Sequence, residues 1–418
     1  MTRIKEIKCR EILDSRGNPT LETTVTTDMD KTGTAAVPSG ASKGRYEAAE
    51  IRDGDINRYS GNGVLKAVHN VSKLIGPSLI GTDVLDQNKI DESMIKLDGS
   101  INKGNLGANA ILSVSLACTR AAANTVNKPL YLYINSLFSS RIFKNQVTPM
   151  FNIINGGLHG NKNLSFQEFL IVPGINKTYL ESLTSGVEIY QTLKKYLKAQ
   201  DFITSVGDEG GFTPQFTTNE EALDTIIKII NKTKYRLNKD IFLGLDLASS
   251  TFFSKNKYCV NSHDKSLSQD EYLDYLLDLQ KKYDLFSFED PFSEDDWSGW
   301  SRFTRTIGGK CLIIGDDLLV TSTDRLEKAI KEKSCNSILI KVNQIGTLTE
   351  TLKVIKLAKK ANFKIIVSHR SGETNDDFIS DLAVGTGADF VKFGAPARGE
   401  RVSKYNRLKY IYETNNFQ

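Results

Sequence analysis

From Arg3 to Leu13, apolar and polar side chains alternate. They alternate again from Leu21 to Thr27, after the turn sequence SRGNP. Period-two alternation separated by a turn predicts an antiparallel meander. A small-residue loop follows at VPSGASKG, Val37 to Gly44, and a helical pattern is expected from near Glu47. The stretch NLGANAILSVSLACTRAAANTV predicts a helix whose small residues permit close packing. Residues 1–135 therefore read as an α+β unit. From about Phe138, short apolar runs alternate with amphipathic helical stretches. The runs are IFLGLD, LFSFED, CLIIGDD, SILIKVN, KIIVSH and DFVKFG; the helices include EEALDTIIKIINKT and TETLKVIKLAKKA. Alternating β and α predicts a parallel sheet, and the spacing suits a β/α barrel over 136–418. An open doubly wound sheet is the alternative, but no G-x-G-x-x-G follows a first strand.

Each of these runs ends in a residue that is costly to bury: Asp246, Glu289, Asp316, Lys341, His369 and Lys392 in turn. In a barrel the carboxyl ends of the strands form one rim, where active sites sit. Asp246, Glu289 and Asp316 are hard oxygen donors suited to Mg²⁺. Cysteine or paired-histidine ligands, which would indicate zinc, are missing from this pattern. Two lysines follow, and one beside a cation and a second lysine is expected to have a lowered pKa and to act as a general base. Arg370 and Ser371 suit a phosphate, as a guanidinium fork and a hydroxyl. VGDEGGF sets Glu209 among glycines, so that its carboxylate can approach a substrate closely. NGGLHGNKNLSFQEF carries His159, Gln167 and Glu168.

Composition narrows the class without deciding it. The 418 residues are 39% hydrophobic and 25% charged, with a net charge of +4 and no basic stripe, so a nucleic-acid partner is not expected. Five cysteines without a C-x-x-C pair fit reduced thiols in the cytoplasm. The start, MTRIKEIKCREILDS, has no apolar core of a signal peptide, and no run approaches the ~20 apolar residues of a membrane helix.

The segments DSRGNPTLE, VPSGAS, IRDGD, LGANAILSVSLA, QEF, VGDEGGF, LDLASSTFF, FEDPFSEDDW, GDDLLVT, KVNQIGTLTE, SHRSGET and GAPARGER occur in the order found in enolases. The chain resembles that family from near its N-terminus to about Lys409. The resemblance implies an α/β fold: an N-terminal α+β domain and a TIM-type barrel with an atypical ββαα(βα)₆ start. It implies reversible dehydration of 2-phosphoglycerate to phosphoenolpyruvate with two Mg²⁺ ions, the second arriving with substrate. Asp246, Glu289 and Asp316 would hold the first ion and Ser42 would reach the second. Lys341 would be the base and Glu209 the acid. His159, Gln167 and Glu168 would line the substrate, Arg370 and Ser371 its phosphate, and Lys392 its carboxylate. A homodimer or higher homo-oligomer is implied. The alternatives are another acid dehydratase of the superfamily, or a secondary surface or scaffold role with a surface or secreted fraction. Lys43, Leu158, Gly160, Phe393 and Gly399 depart from the family pattern, and none of them is a reacting group.

Overall fold

The computed structural model describes residues 2–40, 44–139, 141, 143, 145–160, 162–261 and 266–414. The N-terminal meander forms as the alternation predicts: β1 (Ile4–Leu13), β2 (Pro19–Thr27) and β3 (Thr32–Ala36) are antiparallel in the order β1-β2-β3. Helix α1 (Ala108–Thr125) lies against them. The contact is tight because Gly33 has no side chain: a Cβ there would stand 2.1 Å from the backbone nitrogen of Ala121.

The helix expected near Glu47 is absent, and residues 47–55 are irregular. Their N–H groups bond elsewhere, Ala48 to the carbonyl of Gln344 at 2.9 Å and Ala49 to that of Asn102 at 2.7 Å. Tertiary partners have replaced the local helical ones.

The barrel begins with β4 (Thr148–Pro149) and β5 (Phe151–Asn155), separated only by Met150. Then come β6 (Glu168–Pro173), α2 (Tyr179–Ala199), α3 (Asn219–Ile230) and β7 (Ile241–Asp246). Next are α4 (Gln269–Tyr283), β8 (Ser287–Glu289), α5 (Trp297–Ile307), β9 (Leu312–Gly315) and α6 (Thr323–Glu332). The chain continues through β10 (Ser337–Ile340), α7 (Leu348–Lys360), β11 (Lys364–Ser368), α8 (Phe378–Thr386), β12 (Phe390–Lys392) and α9 (Gly399–Thr414). The sheet runs β4-β12-β11-β10-β9-β8-β7-β6-β5. Because β4 and β5 are one interrupted strand, this order closes on itself. Strand β6 is antiparallel to both neighbours and the other pairings are parallel. That is the ββαα(βα)₆ order.

Helix starts are written locally. Thr178, Thr218, Ser268, Asp296, Ser322 and Thr347 each accept the N–H of the third residue onward. Each such cap contributes about 1 kcal/mol. Two layers of core follow from strand parity. Met150, Leu170, Val172, Ile314, Leu339, Ile366 and Phe390 fill the barrel interior as a separate cluster. Phe169, Ile171, Leu243, Leu245, Ile313, Ile338, Ile340, Ile365, Val367 and Val391 have the opposite parity and join the larger core under the helices.

Candidate active site

Parity also builds the site. Two residues beyond Ile314, Leu339 and Phe390, on the same face of their strands, stand Asp316, Lys341 and Lys392. Asp246 and Glu289 lie level with each other across the β7–β8 pairing. Glu168 opens its strand instead of closing one. Because β6 runs backwards, its first residue pairs with Asp246 and reaches the same rim. One cleft is lined by Glu168, Glu209, Asp246, Asp316, Lys341 and Lys392, together with His159, Gln167, Arg370 and Ser371. Glu289 is buried beside it, 1% exposed, with both oxygens on Lys392. Every described residue singled out from the sequence as a site residue therefore converges here. Ser42 and Lys43 lie outside the described residues.

Lys392 is the hub. Its Nζ is 2.9 Å from Asp246 Oδ2, 2.8 Å from Glu289 Oε1 and 3.2 Å from Glu168 Oε2. Lys341 bonds Asp316 Oδ2. Burial pulls the Lys341 pKa down, but Asp316, helped by Glu289, makes the net direction up. The lowered pKa expected from the sequence is therefore not what the protein's own charges produce: the adjacent carboxylate stabilises the ammonium form. Gln167 Nε2 reaches Asp246 Oδ2 at 3.4 Å.

The opposite wall holds the histidines. His159 lies 3.5 Å from Glu209 and 3.8 Å from Glu168. Burial opposes its charge, but Glu209 and Glu168 prevail and raise its pKa to about 10. His369 differs. Arg401 Nη1 donates to its Nδ1 at 2.6 Å. A guanidinium cannot accept, so Nδ1 is unprotonated and Nε2 carries the proton, facing Glu209 at 3.6 Å. Burial, aided by the cations Arg401, Lys392 and Lys341, holds His369 neutral against the pull of Glu209. Ser371 Oγ joins this wall, 3.2 Å from His159 Nε2 and 3.4 Å from Glu209 Oε1.

The glycines of VGDEGGF are needed for this approach. A Cβ at Gly211 would stand 2.5 Å from Asn155 Oδ1 and 2.8 Å from Asn152 Oδ1. Asn152 Nδ2 in turn donates to Glu209 Oε2 at 3.3 Å. Glu168 and Glu209 behave as one unit. Desolvation and the Glu209 charge raise Glu168 to about 8. Burial opposes the ionisation of Glu209, but the charged His159 beside it prevails and holds Glu209 well below the usual carboxylate range. The two shifts run in opposite directions, so Glu168 is the member of the pair that takes a proton more readily.

The charge balance fits a divalent cation. The cleft lining has seven carboxylates (Glu47, Glu168, Glu209, Asp246, Asp290, Asp316 and Asp317) against three permanent cations, Lys341, Arg370 and Lys392. Ligand atoms of Asp290, Asp316 and Asp317 lie within 4.8 Å of one another, as do those of His159, Glu168 and Glu209. Burial and then its acidic neighbours push Glu289 and Asp290 well above the usual carboxylate range, and Asp317 to about 7. Such oxygen-rich, undercompensated clusters suit a hard divalent ion.

Sequence reasoning missed several contributors. Glu47 takes the Arg370 fork at 2.9 and 3.2 Å. Asp290 accepts the backbone N–H groups of Asp316 and Asp317 at 3.0 and 2.8 Å. Arg401 also bonds the carbonyls of Arg370 and Ser371, each at 2.6 Å. The doubled acids in FED and GDD were visible signals for Asp290 and Asp317. For Glu47 no local signal exists.

Fold and site define a β/α barrel with titratable groups and carboxylates that could hold a cation gathered at one mouth. Residues 4–134 match the family described as Enolase, N-terminal domain, and residues 145–416 match Enolase, C-terminal TIM barrel domain. The chain belongs to the enolase family. The match supports a lyase of the enolase superfamily acting on a small molecule, and the acidic clusters of the cleft could bind a divalent metal. Among the described residues, no helix is long and apolar enough to cross a membrane.

Proposed function

We propose that the chain interconverts 2-phosphoglycerate and phosphoenolpyruvate plus water. The observation that carries this reading is the presence, in one buried cleft, of Arg370 and Ser371, an ammonium pair, and an excess of carboxylates. A guanidinium beside a hydroxyl suits a phosphate, which would compete with Glu47 for Arg370; Lys392 suits the substrate carboxylate, and His159, Gln167 and Glu168 line the space between. Asp246, Glu289 and Asp316 are the proposed ligands of a first Mg²⁺. Ser42 is the proposed contact of a second, bound with substrate. When bound, the ions stabilise the negative charge that develops on the substrate carboxylate.

Lys341 removes the C2 proton. It is held as an ammonium by Asp316 in the protein alone, and a cation on Asp316 would draw that carboxylate's charge away and free the amine. Glu209 delivers a proton to the departing C3 hydroxyl, and Glu168, whose raised pKa favours its protonated form, is the neighbouring group that supplies it. One acid or base supplies about 10²–10⁴-fold, so the fixed positive charges must supply much of the remaining acceleration.

A homodimer in the cytoplasm, and a division of the chain at 135/136, belong to the same proposal. The test is the absorbance of phosphoenolpyruvate formed from 2-phosphoglycerate with Mg²⁺, with and without chelator. Chelator-sensitive product formation is expected. Absence of product with Mg²⁺ present, alongside dehydration of a non-phosphorylated sugar acid, would assign another reaction of the superfamily.

A further inference from the structure

Behind the cleft, Val320 and Thr321 both hold positive φ, 42° and 51°. Branched side chains rarely adopt that conformation, and it persists where the surroundings impose it. Here it carries the buried Thr321 hydroxyl to the backbone of Lys341, whose N–H donates to Thr321 Oγ1 at 3.0 Å. The hydroxyl's single proton goes to Gln344 Oε1 at 2.8 Å. With its oxygen engaged, Gln344 turns its Nε2 edge to two carboxylates. It donates to Asp316 Oδ1 at 2.9 Å and to Glu47 Oε1 at 3.4 Å. An ionised carboxylate can only accept, so the orientation of this amide is dictated from both ends. Gln344 is 2% exposed.

We propose that Gln344, oriented by Thr321, is a positioning residue that aims the Asp316 carboxylate at a divalent cation and at Lys341. The inference rests on the reading of Asp316 as a cation ligand. The terminal torsion of an aspartate is soft, so an unheld carboxylate samples a broad range. In this arrangement each oxygen has its own donor: Gln344 holds Oδ1, and Oδ2 is left to Lys341 and the cleft. Thr321 ties the same unit to the Lys341 backbone. Glu47 extends it to Arg370, so the cation ligand, the base and the guanidinium share one hydrogen-bonded frame.

The test is Mg²⁺ binding by titration calorimetry on chelator-treated protein. Losing an outer partner of a metal ligand typically costs about 10–100-fold in affinity. That loss is expected for Gln344→Met, and in the same direction for Thr321→Val, which keeps the shape but removes the hydroxyl. Thr321→Val carries the test if Gln344→Met does not unfold cooperatively. Gln87→Met is the control for burial alone: Gln87 is equally buried and bonds Asp91 and Ser115, in the N-terminal part of the chain. Its affinity should stay within twofold of wild type. Wild-type affinity in both Gln344→Met and Thr321→Val, with binding lost in Asp316→Asn, overturns this inference and leaves the cation reading standing. Equal weakening by Gln87→Met overturns it as well. Undiminished binding in Asp316→Asn removes the cation reading and the inference together.

Discussion

Replacing Lys392 by methionine tests the charge arithmetic of the site most directly. Its ammonium touches Asp246, Glu289 and Glu168 between 2.8 and 3.2 Å, and all four side chains are at most 4% exposed. Methionine fills a similar volume but leaves three buried carboxylates without their cation. Breaking a buried ion pair from one side costs about 3–5 kcal/mol. Protons limit this cost, because buried carboxylates can neutralise instead of remaining charged. Glu168 already holds its proton up to about pH 8 with the lysine present. Without it, Glu168 and Glu289 lose the charge that lowers their pKa and should take up protons more readily, so the variant binds more protons when folded. Its deficit must therefore shrink as pH falls. The assay is denaturant unfolding of chelator-treated protein at pH 8 and pH 5. The expected result is a loss of about 3–5 kcal/mol at pH 8 and clearly less at pH 5. A deficit below about 1 kcal/mol at pH 8, or one that grows on acidification, would refute the reasoning.

Three further outcomes follow from the geometry. Glu209→Gln should keep exchange of the C2 proton of 2-phosphoglycerate with solvent while losing dehydration, whereas Lys341→Ala should lose both; proton NMR in deuterated buffer reads the exchange, and retained exchange in Lys341→Ala would place the base elsewhere. His159 has a folded pKa of about 10 against an ordinary value of 6.5, so its contribution to stability is full below pH 6.5 and is lost as pH rises through 10. In His159→Gln the metal-free stability should therefore decline less over that window, and identical slopes in the two proteins would contradict the assignment. Gly211→Ala would press on Asn152 and Asn155, displacing Asn152 from Glu209; a misplacement near 1 Å costs up to about 10²-fold in turnover, and unchanged kcat in the folded variant would show that the approach is not needed.

Much of the barrel is legible from its sequence because parallel strands write their chemistry at a fixed place. Six apolar runs each end in an ionisable residue, and β7 through β12 put those ends on one rim. Where the chain departs from that rule, the sequence is silent. Glu168 opens an antiparallel strand, so a search for strand ends passes over it; the stretch NGGLHGNKNLSFQEF drew attention to it, but its role came only from the family resemblance. Asn152 reaches Glu209 from the interrupted first strand, where no charge draws attention. Glu47 looks like the start of a helix. Its segment instead bonds to Gln344 and Asn102, partners far away in the chain. Arg401 sits in the last helix and is fully buried, yet its contacts are carbonyls and a histidine of the SHRS turn and the carbonyl of Asp208. Local pattern reports which face a residue occupies. It does not report which distant backbone will meet it.

The same alternation specifies the barrel's interior and its chemistry. In β9, β10 and β12 the inward residues are Ile314, Leu339 and Phe390, and the next inward positions are Asp316, Lys341 and Lys392. A slip of one residue in any of these strands would send the apolar side chain toward the helices and the charged one with it. The buried charge would then lie in the outer core, among Ile313, Ile338 and Val391, without its partners. That arrangement costs several kcal/mol per uncompensated ion. The charged rim is therefore not only a site placed on a finished barrel. Hydrophobic filling and ion pairing each penalise the shifted register, so the residues that would carry the reaction also help to select the fold that assembles them.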